Sequence, residues 1–319
     1  MKIKDIYKNV IDIGIRHDPR GVGGVREYLE RVKSAYGAMP EKKKKRFDIE
    51  SLKNPYSDTR ILSGDPGSEV KCIMVGVDIG VGEIVLADRL KERGTPIDLI
   101  LAHHPGGKAY AAFHEVMRMQ ADIHHGYGVP INIAEALLEE RMGEVERKVM
   151  SVNHRRPVDA ADLLGIPLMC AHTPADNCVV AYLGNLLKKN KPKTLGETVD
   201  VLSEVPEYEW STSEGVPVRV LVGSDNRRVG EIFVDMTGGT EPPKKILEKL
   251  AAAGVGTMVC MHLSKDHLEE AEKNKINVIV AGHIASDNIG LNLLLDGLTK
   301  KENLKIVPAS GFYRVSRRK

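Results

Sequence analysis

Two adjacent histidines, His103 and His104, close the apolar run Ile97-Asp98-Leu99-Ile100-Leu101-Ala102 and are followed at once by Pro105. Imidazoles on consecutive residues of a turn point in different directions, so each can reach a different metal ion. The pattern therefore marks a candidate dinuclear centre. Two further strand ends carry ligand types: Cys170-Ala171-His172-Thr173-Pro174-Ala175-Asp176 and Ala281-Gly282-His283-Ile284-Ala285-Ser286-Asp287. In the second of these, histidine and aspartate are four residues apart, and they share one face if a helix has begun by His283. A lone histidine at a strand end carries little weight. Three such motifs, with nitrogen and carboxylate donors mixed, point to a metal centre. Such ligation suits zinc, iron or manganese without choosing among them. Two divalent ions about 3.5–4 Å apart share a hydroxide, lower the pKa of bound water to about 7 and clamp a phosphoryl or carbonyl oxygen.

His172 and His262 are candidates for acid–base work beside the ions, with a structural, hydrogen-bonded role as the competing reading of each. His124-His125 repeats the dipeptide but lacks a buried strand before it. The loop Thr237-Gly238-Gly239-Thr240-Glu241-Pro242 joins a strand to a helix expected from Pro243 to Ala253. Its amides and hydroxyls could cradle an anion, or simply make a capped turn. The lysine spacing is wrong for a Walker motif.

The elements that must position these groups alternate from Val70 onward. Residues 71–78 read as a strand, Glu83–Arg93 as a helix closed by Gly94, and Asp98–Ala102 as the next strand, which is a βαβ unit and predicts a parallel sheet. Helical patterning follows through 111–147, then helix Asp159–Leu164, strand Ile166–Ala171 and helix Asp176–Lys188. Lys189-Asn190-Lys191-Pro192-Lys193 is a polar, proline-containing break and the expected linker. Beyond it, Val218–Val222 and Arg228–Asp235 flank Gly223-Ser224-Asp225-Asn226, which reads as a hairpin. Strands Thr257–Met261 and Val278–Ala281 alternate with helices Lys265–Asn274 and Asp287–Leu298. The expectation is an α/β protein of two α/β domains, 1–190 and 191–319, with mainly parallel mixed sheets. The dinuclear site would lie in the interdomain cleft, with the C-terminal segment returning ligands to it.

The chain of 319 residues has 42% hydrophobic and 28% charged content, ordinary for a soluble globular protein. A net charge of +2 argues against a dedicated nucleic-acid partner, and the run Lys42–Arg46 reads as a solvated face. No apolar stretch reaches membrane-spanning length, and the charged start is no secretory signal. Four cysteines without a CxxC pair read as buried, reduced thiols of a cytoplasmic protein.

The order His-His-Pro, His-Thr-x-x-Asp and Gly-His-x-x-x-carboxylate resembles the dinuclear metal-centre family named after the NGG-one-interacting factor three, often labelled GTP cyclohydrolase type-two homologues. The resemblance runs from about Ser57-Asp58 to about Leu298, and Asp235-Met236-Thr237-Gly238-Gly239 and the 275–283 segment also fit. It implies two divalent ions held by His103, His104, Asp176 as the bridging aspartate, and His283. Asp287 stands where the family usually has glutamate, a reach shorter by roughly 1.5 Å. Gly106-Gly107-Lys108 replaces apolar residues, which predicts a more flexible, positively charged mouth. The implied activity is a metal-dependent hydrolase acting through a metal-bound hydroxide on a nucleotide-like, phosphorylated or cyclic-amide small molecule. A non-catalytic metal-binding assembly or adaptor protein is the alternative. The resemblance also implies a ring-shaped homo-oligomer, commonly a hexamer.

Overall fold

The computed structural model describes residues 1–300 and 302–317. It contains two mixed, mainly parallel sheets. The first comprises β1 (Thr59–Ser63), β2 (Cys72–Gly76), β3 (Leu99–Ala102) and β4 (Leu168–Ala171). The second comprises β5 (Arg219–Val222), β6 (Glu231–Asp235), β7 (Val255–Cys260) and β8 (Asn277–Val280). A last strand, β9 (Lys305–Pro308), returns to the first sheet, whose order is β1-β4-β3-β2-β9; the second runs β5-β8-β7-β6. Within each sheet one edge strand is antiparallel, β1 on β4 and β5 on β8, and the remaining pairings are parallel.

Strands β2, β3 and β4 are buried along their whole length, as their unbroken apolar sequences require of strands covered on both faces. Alternation decides which cover each residue meets. Ile73, Val75, Leu99 and Leu101 pack with Ile3, Ile6 and Val10 of the Ile3–His17 helix and with Leu291 and Leu294 of the His283–Thr299 helix. Cys72, Met74 and Ile100 face the other way, onto Ile84 and Ala87 of the Val81–Glu92 helix and Val158 and Ala161 of the Arg156–Leu164 helix.

Two helices serve both sheets. In the Thr173–Asn190 helix, Ala175 and Cys178 belong to the first core, and Val179, Leu183 and Leu187 to a second core beneath β7 and β8. The His283–Thr299 helix divides likewise, Leu291, Leu294 and Leu298 going to the first core and Ala285 and Ile289 to the second. Helices apolar nearly all round are the ones that occupy a middle layer. They approach very closely: a Cβ on Gly290 would lie 2.6 Å from the Ala175 carbonyl oxygen, so only glycine fits. Asp176 and Asp287 stand on these two helices, near their starts.

A polar ladder fixes the second of them. Asn288 donates to the carbonyls of Ile284 (2.7 Å) and Gly311 (2.9 Å) and accepts from the amide of Tyr313. One turn on, Asn292 donates to Tyr313 O at 3.0 Å and accepts from Val315 N at 3.1 Å; after a further turn Asp296 accepts from Arg317 N at 2.9 Å. Four helical residues rise about 6 Å and two extended residues about 6.6 Å, which is why the i, i+4 ladder keeps pace with alternate residues of the tail.

Several local expectations are corrected. The 218–235 hairpin does not form: β5 pairs with β8 and β6 with β7. The connection is bonded to another segment, Leu195 N to Arg227 O and Gly196 N to Asp225 O, both at 3.0 Å, and so cannot close a tight turn between its flanking strands. Two helices, Leu195–Ser203 and Pro206–Ser213, follow the polar break where the sequence pattern shows none. Strand β1 is a further addition. Its Arg60 is only 2% exposed, held by the carbonyls of Tyr56 and Thr59 and by Asp48. The lysine run is solvent-facing, apart from half-buried Lys44. All four cysteines are buried and free. No helix among the described residues is long and apolar enough to cross a membrane.

Candidate metal centre

His103 and His104 leave β3 with their amides still paired to the Gly76 and Val77 carbonyls at 2.9 and 3.0 Å, so the backbone is fixed where the imidazoles diverge. The rings lie 5.2 Å apart and 43° to one another. Each is oriented through Nδ1, His103 by Ala171 O at 3.3 Å and His104 by Asp78 Oδ1 at 2.6 Å. With Nδ1 donating, Nε2 offers its lone pair, which is how metal-binding histidines are commonly set. His103 Nε2 then stands 3.4 Å from Asp176 Oδ1 and 3.4 Å from Asp287 Oδ1. His104 Nε2 and His283 Nε2 each stand 3.5 Å from Asp287 Oδ2.

The His283–Thr299 helix has indeed begun at His283, four residues earlier than Asp287, and this brings the pair onto one face. Gly282, at φ 103°, makes the bend that turns β8 into that helix. The Thr173–Asn190 helix likewise starts three residues before Asp176.

Three groups of donors converge, with the atoms of each group within 4.8 Å of one another: His103, His104 and His172; His104, His283 and Asp287; and His103, Asp176 and Asp287. These clusters could hold metal ions. His103 Nε2, Asp176 Oδ1 and both carboxylate oxygens of Asp287 are buried without a hydrogen-bond partner. Buried polar atoms are nearly always satisfied, and unpaired carboxylate oxygens are among the costliest exceptions. Four such atoms facing one another form a donor set that fits divalent cations.

The charges reinforce one another. Burial alone would lower the pKa of His103, but Asp287 and Asp176 raise it well above the ordinary value. Burial would raise Asp287, but His103, His283 and His104 hold it down at about 2. His104 is pushed down to about 4 by burial and by its histidine neighbours.

His172 stacks on His103 at 4.8 Å and lies in the cluster itself. Its Nδ1 meets Asp58 Oδ2 at 3.0 Å, and Thr173 Oγ1 donates to the same oxygen at 2.6 Å. Asp58 is fully buried, and nothing in the sequence singles it out, because its partner lies 114 residues away in the chain. His262 stands on the loop after β7, half exposed, its ring 5.0 Å from that of His283 and its Nδ1 3.7 Å from Glu241 Oε1. Glu241 raises the pKa of His262, and Glu241 is itself held at about 2, burial being overruled by His262 and the Ser264 amide.

A cavity of about 410 Å³ opens over the cluster and is lined from both sheets, by His104 and His172 on one side and Asp235, Glu241, His262 and His283 on the other. His124 and His125 do not line it. The former is buried against Phe233, the latter bonded to Val129 O. The Thr237–Pro242 loop is no helix-start cradle, since the next helix begins only at Ile246; Gln120 instead bonds the carbonyls of Gly238 and Thr240. The Gly106–Lys108 mouth is not open. Gly107 begins a short helix, its amide on His154 O and its α-carbon against Val158, and Lys108 is paired with Glu50 at 3.1 Å.

Fold and site together define a two-sheet α/β protein with a candidate His/Asp metal centre at its strand ends. No sequence-family model and no curated protein matches the chain. Among solved structures, a NIF3 superfamily protein from Sphaerobacter thermophilus is similar over 80% of this chain and 91% of its own, with 25% identity and a TM-score of 0.69. A protein from Thermus thermophilus is similar over 89% and 96%, at 17% identity and TM-score 0.49. Reduced HcgD from Methanocaldococcus jannaschii follows at 78% and 87%, 14% identity and TM-score 0.46. The chain has the fold of the NIF3 superfamily, in agreement with the motif resemblance.

Proposed function

We propose that this chain is a dinuclear metal-dependent hydrolase acting on a nucleotide-like, phosphorylated or cyclic-amide small molecule. The observation that carries the reading is the set of buried, partnerless ligand atoms on His103, Asp176 and Asp287 beneath an open cavity. His103, His104, Asp176, His283 and Asp287 would hold two divalent ions, with His172 as a further donor. Zinc, iron or manganese at these positions would supply Lewis acidity to a water and to the scissile carbonyl or phosphoryl group.

The chain's own residues account for the rest. Asp78 and the Ala171 carbonyl fix the two imidazoles, and Asp58 orients His172. Glu241 engages His262 at Nδ1, leaving Nε2 to pass a proton to a departing group. A panel of phosphomonoester, phosphodiester and cyclic-amide substrates tests the reading. Turnover should be present in the metal-loaded protein and lost in Asp176→Asn with folding intact. Failure on every class would refute it.

One observation favours a second reading, a metal-dependent assembly or adaptor protein. The ligand-bearing helices form the layer between the two sheets, so ions there would also brace the fold. Chelation would then dissociate a homo-oligomer, a hexamer by resemblance, without any turnover to lose.

A further inference from the structure

The wall of the cavity opposite the ion cluster has a chemistry of its own. Among the described residues lining the cavity there is no lysine and no arginine. The lining carries five carboxylates, Asp78, Asp176, Asp235, Glu241 and Asp287. Four of these have work to do. Asp176 and Asp287 face the imidazoles of the cluster, Asp78 holds His104, and Glu241 accepts from the Ser264 amide at 2.6 Å and engages His262.

Asp235 is different. It ends β6, in register with Cys260 at the end of β7, and no hydrogen-bond or ion-pair partner engages its carboxylate among the described residues. Apolar side chains share its cavity, Met236 and Met261 with the near-parallel rings of Tyr110 and Phe113 (18° and 6.3 Å apart), while Glu241 and His262 are its charged neighbours. Burial, and then Glu241, push its pKa up to about 7 against the opposing pull of His262. A carboxylate left half-buried without a hydrogen-bond donor is costly unless a ligand supplies one.

We propose that the substrate of this site carries a cationic or N–H-donating planar group at the end distal to the ions, and that Asp235, assisted by Glu241, receives it. The class is that of amidine-, guanidine- or amide-bearing small molecules, with the flat group lying along the aromatic and methionine wall. A polyphosphate chain directed at this wall would meet the carboxylates of Asp235 and Glu241 and no lysine or arginine, and the imidazole there, His262, is already engaged by Glu241. The inference rests on the proposed hydrolase site and narrows its substrate class to those of the three candidates that carry a planar N–H donor.

The test uses benzamidine, a planar ring with a cationic two-donor fork, titrated calorimetrically into manganese-loaded protein. Wild type should bind it in the millimolar range or tighter. Asp235→Asn should weaken binding by about tenfold or more, and Glu241→Gln by a smaller factor, in samples of equal metal content. No binding up to roughly 10 mM, or equal binding by wild type and both variants, overturns the proposal. Only binding is read, so loss of the hydrolase reading for want of turnover and loss of this one for want of binding are separate results.

Discussion

Asp58 Oδ2 lies 3.0 Å from Nδ1 of His172, and the pair is buried between the turn before β1 and the end of β4. Burial works against both charges, yet Asp58 stays below the usual carboxylate range, and His172 is held above the usual imidazole value by Asp176 and Asp58. The carboxylate therefore chooses which nitrogen of His172 faces the cluster. Replacing Asp58 with asparagine keeps the shape but weakens that choice. Metal affinity should fall by about 10–100-fold, the usual cost of losing such an orienting carboxylate. A competition titration against a chromophoric chelator reads it, with circular dichroism confirming an intact fold. Unchanged affinity would mean that His172 is structural only.

The tail ladder makes a prediction about stability and site together. Asn288 follows Asp287 directly and bonds both the helix and the tail. Asn288→Ala would leave the Tyr313 amide without its acceptor and should cost roughly 2 kcal/mol, visible as a lower urea midpoint. The same variant should bind metal more weakly, because the first turn of the helix carries His283 and Asp287. A stability loss with metal affinity unchanged would show that the tail braces the fold and leaves the site alone.

His124 supplies a pH prediction away from the metal cluster. It is 1% exposed, and burial pushes its pKa down to about 4 from an ordinary 6.5. Between those values the unfolded chain binds the proton and the folded chain does not. This contribution is present in full above pH 6.5 and is lost as the pH falls toward 4, amounting to about 3 kcal/mol. His124→Leu should flatten the pH 4–7 stability profile by that amount in urea titrations. An unaltered slope would place the acid sensitivity elsewhere.

The parts legible in the sequence are those with local signals. The apolar runs of β2, β3, β4, β7 and β8 announce buried strands, and just beyond the ends of all but β2 stand the histidines. The two middle-layer helices begin earlier than their periodicity suggests, because a helix buried on most sides has no polar face to mark its phase. Asp58 and the pairing of β5 with β8 are hidden for another reason. Each depends on a partner distant in the chain, and nothing near those residues signals it. At the mouth of the site, Gly106 and Gly107 read as freedom in the sequence. The glycine at 107 instead lets the chain pass close to Val158.

The buried atoms of His103, Asp176 and Asp287 that lack hydrogen-bond partners are the expected cation ligands. Elemental analysis of the protein after loading with zinc or manganese and gel filtration tests this assignment most directly, comparing wild type with Asp287→Asn. Two divalent ions per chain are expected in wild type and loss of at least one in the variant, because both oxygens of Asp287 face the imidazoles. A metal-free wild type, or a variant that retains both ions, would contradict the assignment.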